Sequence, residues 1–197
     1  MTFQLSRTHM SIVAAATTVA ASFVVIPALA ENGAPPADAV CPALLAAHGR
    51  IDSEYNPALS AYADAVAGKR VAIVGHFPFA PAALPDVAEL IVLERALFDG
   101  DYPDSACEYL LPGVDWAFIT GSAFVNKTMP RLLELTRGVH SVVLGPSAPA
   151  SPIVLDHGAS EVLAFASCHP ALLEEGLAGR LPGGMFDAGM RVGLARG

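Results

Sequence analysis

The sequence predicts an α/β fold in which a parallel sheet of about five strands is covered by helices on both faces. Three observations predict it. Between residues 71 and 165 five short, nearly continuous apolar runs recur, and such runs fit strands buried on both sides. Each run ends in a polar or glycine-containing turn, and the stretches between runs carry helical spacing. Strands that alternate with helices need crossover connections, which set all strand C-termini along one edge of the sheet. Ligands of open sheets bind outside that edge, so the residues just after each strand are the informative ones.

Taken in order, residues 31–50 are Pro- and Ala-rich without a sustained period and read as a linker with at most a short helix. Pro57 opens a helix in which Leu59, Tyr62, Ala63 and Val66 recur at helical spacing, and Gly68 stops it. Residues 71–74 form the first strand, ending at Gly75. Residues 89–93 form the second, ending at Glu94. Residues 115–119 form the third, ending in Thr120-Gly121-Ser122. A helix over about 124–137 follows, with Leu132, Leu133 and Leu135 on its buried side. Residues 139–144 form the fourth strand, ending in Gly145-Pro146-Ser147, and residues 160–165 the fifth. Shorter helical patches fit 105–111 and 170–176. No internal repeat of fixed period is present.

The strand ends carry the candidate chemistry. After the first strand stands Gly75-His76-Phe77-Pro78-Phe79 in place of GxGxxG, so the dinucleotide fingerprint is absent where it should lie. Glu94 follows Gly75 by 19 residues, a spacing at which an acidic residue often holds a ribose hydroxyl; a plain strand-end ion pair explains it equally well. Asp99, Asp101 and Asp104 fit oxygen ligation of a hard cation or a solvated turn. The Thr120–Thr128 stretch places a Gly-Ser turn at a helix start, where Thr120, Gly121, Ser122, Asn126 and Thr128 would meet a ligand's anionic group. Gly145 and Ser147 repeat the theme as a stiff turn at the same edge. His76, His157, Cys107 and the adjacent Cys168-His169 fall near strand ends and have soft-metal chemistry, but no pair has a recognised ligand spacing.

Composition sets the outer bounds. The chain has 197 residues, 53% of them apolar and 15% charged, which suits one ordinary domain with a core. Eleven Lys and Arg against 19 Asp and Glu give a net charge of −8 with no basic cluster, so nucleic acid is excluded as a partner class. Three cysteines, Cys41, Cys107 and Cys168, are too few and too scattered for a disulfide scaffold or a CxxC zinc site. Residues 1–30 lack acidic residues, begin with Arg7 and His9, run apolar from Met10, and close on Ala28-Leu29-Ala30. That is the form of a secretory signal, which makes the membrane relevant only for export and the expected location periplasmic. A retained anchor and a mis-assigned start, with a cytoplasmic protein, are the competing readings.

From about Ser53 onward the chain resembles the heavy-metal chelation domain family, a family of unknown function. The residues that carry the resemblance are Glu54-Tyr55-Asn56, the run from Gly68 to Pro78, Glu94, Gly100-Asp101-Tyr102-Pro103-Asp104, Leu111-Pro112, Asp115, Thr120-Gly121-Ser122, Asn126, Thr128 and Gly145-Pro146-Ser147. The resemblance implies a Rossmann-like domain over 57–197, normally preceded by an enolase N-terminal-like domain, with the site in the cleft between them. Only 26 residues separate Ala30 from Asn56, so residues 31–56 are expected to be a linker or a remnant of that domain. It further implies that Asn56, His76, Pro78, Glu94, Asp101, Thr120, Ser122, Asn126 and Ser147 line the cleft.

The leading functional expectation is a binding protein for a transition metal ion or a metal chelate, held through His76, Glu94 and Asp101 with help from the Thr120–Ser122 turn. The rival is an enzyme acting on a small anionic or nucleoside-like metabolite, with His76 as acid or base. A third is a truncated, inactive family member. A homo-oligomer is left open. On the export reading, N-terminal sequencing of protein recovered from an expressing cell's periplasm begins at Glu31; an intact Met1 on soluble cytosolic protein overturns it.

Overall fold

The computed structural model of the chain describes residues 50–52, 58–167 and 169–196; the expected signal at 1–30, most of the linker, Asn56, Cys41 and Cys168 lie outside these. Among the described residues eight strands form one sheet: β1 (Arg50–Asp52), β2 (Arg70–Val74), β3 (Glu89–Glu94), β4 (Tyr102–Pro103), β5 (Trp116–Thr120), β6 (His140–Leu144), β7 (Glu161–Ala166) and β8 (Met190–Ala195). They lie in the order β1-β8-β7-β6-β5-β2-β3-β4. From β2 to β7 all pairings are parallel, whereas β8 runs antiparallel to both β7 and β1. The parallel part is thus wound outward in two directions from the β2/β5 pair, the doubly wound order whose reversal point opens a crevice at the strand C-termini.

The five expected strands are all present, and the α/β class with them. The structure adds three. Strand β4 is two residues long and pairs only with Leu93 and Glu94, too short to leave a period. Strand β8 reads MRVGLA, with Arg191 and Gly193 interrupting any apolar run. Strand β1 sits within the stretch read as a linker and pairs with β8 through Arg50, Ile51 and Asp52.

Alternation along the strands divides the core into two layers, one on each face. Ala72, Val74, Ile91, Leu93, Ala117, Ile119 and Val143 belong to one cluster, while Val71, Ile73, Phe118, Val142 and Leu144 belong to the other. The second face is closed by a 3-10 turn at Ala58–Tyr62, by α1 (Ala63–Val66) and by α2 (Ala80–Ala83), through Leu59, Tyr62, Val66 and Ala80. The first is closed by α3 (Cys107–Leu110), α4 (Ser122–Val125), α5 (Met129–Leu135) and α6 (Pro152–Asp156). A last helix, α7 (Pro170–Leu177), leads toward β8.

The single helix expected over 124–137 is two helices, and the break has a cause. In a continuous helix Pro130 would leave the Asn126 carbonyl without its donor and press its ring against that carbonyl. Instead Lys127 takes a left-handed φ of 67°, and the Asn126 Oδ1 accepts from the Thr128 backbone N–H at 3.1 Å and from its hydroxyl at 2.6 Å.

Two glycines let the strand ends converge at the reversal point. A Cβ on Gly75, whose φ is +106°, would stand 2.9 Å from Thr120 Cγ2. A Cβ on Gly121 would stand 2.3 Å from the Ala148 nitrogen and 2.5 Å from the Ser147 carbonyl carbon. The latter contact is with backbone and cannot be relieved by a rotamer. Gly121→Ala is therefore expected to lower stability by about 1–3 kcal/mol as an overpacking change, read as a fall in urea midpoint. An unchanged midpoint would show that the two turns are not held against each other.

Candidate functional site

A cleft of about 370 Å³ opens at the C-terminal edge where β2 and β5 adjoin. Its floor is Val74, Gly75, Leu93 and Thr120. One side is built from the end of β3 and from α3 with the turn before it, and presents Glu94, Arg95, Asp104, Ser105, Cys107 and Glu108. The other is the segment from Ser122 to Leu135, presenting Ser122, Asn126, Thr128 and Arg131. His76 and Phe77, from the loop after β2, complete it. The imidazole of His76 and the Ser122 side chain thus border one cavity, as the sheet-edge reading requires.

His76 is fixed from three directions. Its backbone N–H donates to Glu94 Oε2 at 2.8 Å, and its Nδ1 lies 2.9 Å from Asp101 Oδ2. Its ring stacks on Phe98 with centroids 4.2 Å apart. The same Asp101 oxygen accepts from the Phe98 N–H at 3.2 Å, so it serves as the acceptor of this cluster. Nδ1 therefore carries the hydrogen of that bond, and in the singly protonated ring the lone pair lies on Nε2, the nitrogen with no protein partner among the described residues. A carboxylate that orients a histidine in this way is the usual support of a metal-ligating or proton-moving imidazole.

Glu94 and Asp101, expected as direct metal ligands beside His76, have other work in this geometry. Glu94 accepts from the backbone of His76 through one oxygen and from Arg95 (2.6 Å) and Ala96 (3.3 Å) through the other. It ties the loops after β2 and β3 together, which also accounts for its spacing from Gly75 without a ribose. Asp101 lies behind the imidazole, not on the cleft wall. Among the described residues no three His, Cys, Asp or Glu side chains are grouped so as to hold a metal ion. Of the three expected ligands, His76 is the one that borders the cleft with a side-chain nitrogen, Nε2, that has no protein partner among the described residues.

Of the other expected positions, Thr120, Ser122, Asn126 and Thr128 line the cleft, whereas Pro78, Gly121, Gly145 and Ser147 do not. Gly121 and the Gly145–Ser147 turn pack on each other and support the wall from behind. Helix α4 has only four residues, and the Ser122 N–H of the expected helix-start anion site is taken by Thr120 Oγ1 at 3.3 Å. Of the soft-metal candidates among the described residues, His76 and Cys107 border the cavity, while His157 caps α6 and His169 precedes α7. Cys107 is buried, and burial together with the charges of Asp104 and Glu108 pushes its thiol up to about 12, which makes it an inert wall group.

Arg95, Glu108 and Arg131 line the cleft without having been expected as site residues. Arg95 Nε is bonded to Asp104 at 2.8 Å. Arg131 holds Glu108 through Nε at 2.8 Å and Nη2 at 2.5 Å, and Glu134 through Nη1 at 3.1 Å. Those bonds hold the Glu108 carboxyl below its usual range. No local motif announces these residues; they meet because α3 and α5 pack together on one face.

Residues 58–175 match the profile of the DUF364 family, described as "Putative heavy-metal chelation". A crystal structure of a DUF364 protein of unknown function from Desulfitobacterium hafniense is 35% identical with a TM-score of 0.71, over 79% of this chain and 63% of that one. A second DUF364 protein of unknown function, from Pyrococcus horikoshii, is 20% identical with a TM-score of 0.63, over 73% of this chain and 60% of that one, and speaks for the fold alone. This chain spans about three fifths of the length of these two proteins. No functionally curated protein matches it. With the profile covering more than half of its residues and a doubly wound sheet to match, the chain belongs to the DUF364 family.

Proposed function

We propose that this protein binds a heavy-metal ion already complexed by a small anionic chelator, in the cleft at the β2/β5 reversal point. The observation that carries the reading is the polarity of the cleft. On the β3 and α3 side stand three carboxylates, Glu94, Asp104 and Glu108, against one guanidinium, Arg95. On the other side stand Arg131 and the neutral groups of Ser122, Asn126 and Thr128. Because Asn126 Oδ1 is already taken twice by Thr128, its amide N–H groups are what it can offer a ligand. A species with a cationic centre and anionic arms suits such a cleft better than a bare cation or a simple anion. In this reading His76 Nε2 supplies the protein's donor to the metal, Asp101 orients it, and the Ser122–Arg131 wall receives the chelator.

A second reading has one specific support. The Asp101–His76 pair is equally the form of a general acid or base, so a reaction on a small anionic metabolite fits the same cleft. The engagement of both Glu94 oxygens by backbone weighs against a nucleoside hydroxyl at that position.

Calorimetry on the full chain separates these readings. Nickel, cobalt, zinc and ferric ions are titrated bare and as citrate complexes, beside a panel of nucleotides, adenosyl compounds and pterins. The complexes are expected to bind more tightly than the bare ions. His76→Ala should weaken them by tenfold or more, and Asp101→Asn by roughly tenfold, the usual effect of losing an orienting carboxylate. Binding of the organic panel but of no metal species, or complexes indifferent to His76→Ala, would overturn the proposal.

A further inference from the structure

The Arg131–Glu108 pair is the one fork-shaped ion pair on the cleft wall, and it spans two elements, α3 and α5. Two parallel N–H···O bonds from one guanidinium to one carboxylate are the arrangement in which arginine recognises a carboxylate on a ligand. The pair is also half-exposed, at 54% and 46% of the side chains. Exposed ion pairs commonly shift an equilibrium by no more than about fivefold, and although the fork puts this pair among the stronger ones, its exposure leaves Glu108 open to displacement by a ligand carboxylate. When it leaves, its carboxylate swings into water and carries little desolvation cost. The guanidinium keeps its orientation, because Glu134, one turn along the same helix, holds Nη1 independently. Arg95 differs on this point: it has a single-point bond to Asp104 and no second carboxylate to hold its plane.

We propose that Glu108 is an internal stand-in for the ligand, and that a carboxylate of the bound molecule takes its place on Arg131, so that the cleft selects carboxylate-bearing chelators. This deepens the proposed function by naming the chelator's chemical class, and it rests on that reading for the site but not for the metal. The planar group that already fits between α3 and α5 is the reason for choosing a carboxylate over a tetrahedral oxyanion. The acidic side of the cleft would repel an arm bearing further negative charge unless a cation accompanied it, which makes the metal-loaded form the better ligand.

The test uses metal-free citrate and inorganic phosphate, each titrated into the full chain by calorimetry. The proteins compared are the wild type, Glu108→Gln, Arg131→Gln and Arg131→Lys, with thermal melts to confirm folding. Citrate is expected to bind the wild type, to bind Glu108→Gln about two- to fivefold more tightly because the internal competitor is gone, and to bind Arg131→Gln at least tenfold more weakly. Arg131→Lys, which keeps the charge but loses the fork, should resemble Arg131→Gln. Phosphate binding as tight as citrate, no citrate binding at all, or weakening by Glu108→Gln would each overturn the proposal; the last would mean that the pair is only a brace between helices. Metal-free citrate isolates the Arg131 contact. Loss of the preference for metal complexes on His76→Ala, measured separately, reports on the metal reading, so the two can fail independently.

Discussion

Everything at the carboxyl edge depends on the contact of three turns at the point where the sheet reverses its winding. Gly75 lies against Thr120, and Gly121 lies against the backbone of Ser147 and Ala148. Hydrogen bonds from Gly75 N to the Leu93 carbonyl, from Gly121 N to that of Leu144 and from Gly145 N to that of Leu163 carry each strand one residue past its end, onto its neighbour. The loops after β2 and β5 therefore leave the sheet side by side from a rigid base, and whatever they present is presented jointly. A side chain at Gly121 would have to push the two turns apart, since the obstacle there is main chain.

That constraint explains which parts of the molecule were legible in the sequence. The five central strands are buried on both faces, so each leaves a continuous apolar run, and the run lengths gave their positions to within a residue or so. The edge strands lack that signal: β4 is covered on neither face, with Tyr102 and Pro103 both exposed, and β8 carries Gly193 and Arg191. The split helix was missed for a different reason. Leu132, Leu133 and Leu135 do have helical spacing, but the stop signal at Asn126 is a side-chain capture of the next turn combined with Pro130 four residues on, and hydrophobic periodicity does not register either.

The site was legible to the extent that it is made of strand ends. His76, Glu94, Thr120 and Ser122 follow strands directly and could be placed at one edge from topology alone. Roles were not legible, because they depend on which atoms are already engaged. Glu94 has the type and spacing of a ligand-holding acid, yet its oxygens serve three backbone N–H groups. Asp101 sits behind His76, and Ser147 sits behind Gly121. The Arg131–Glu108 pairing was out of reach, since the two residues enter the cleft from helices whose packing brings together positions more than twenty apart.

The engaged state of Glu94 also shapes the chemistry of the cleft as a whole. In a doubly wound sheet that binds a nucleotide, the acid after the second strand reaches outward to a hydroxyl while a glycine-rich first turn receives the phosphates. Here the first turn carries a histidine and two phenylalanines, and the acid reaches inward to hold that turn in place. Both departures act in the same direction. They put an oriented imidazole where such sheets carry a backbone cradle for phosphate, and the guanidinium of Arg131 stands on the far wall. On the proposed reading, the His76 imidazole and the Arg131 fork, which border one cavity, would hold a complexed ion by its centre and by its arms.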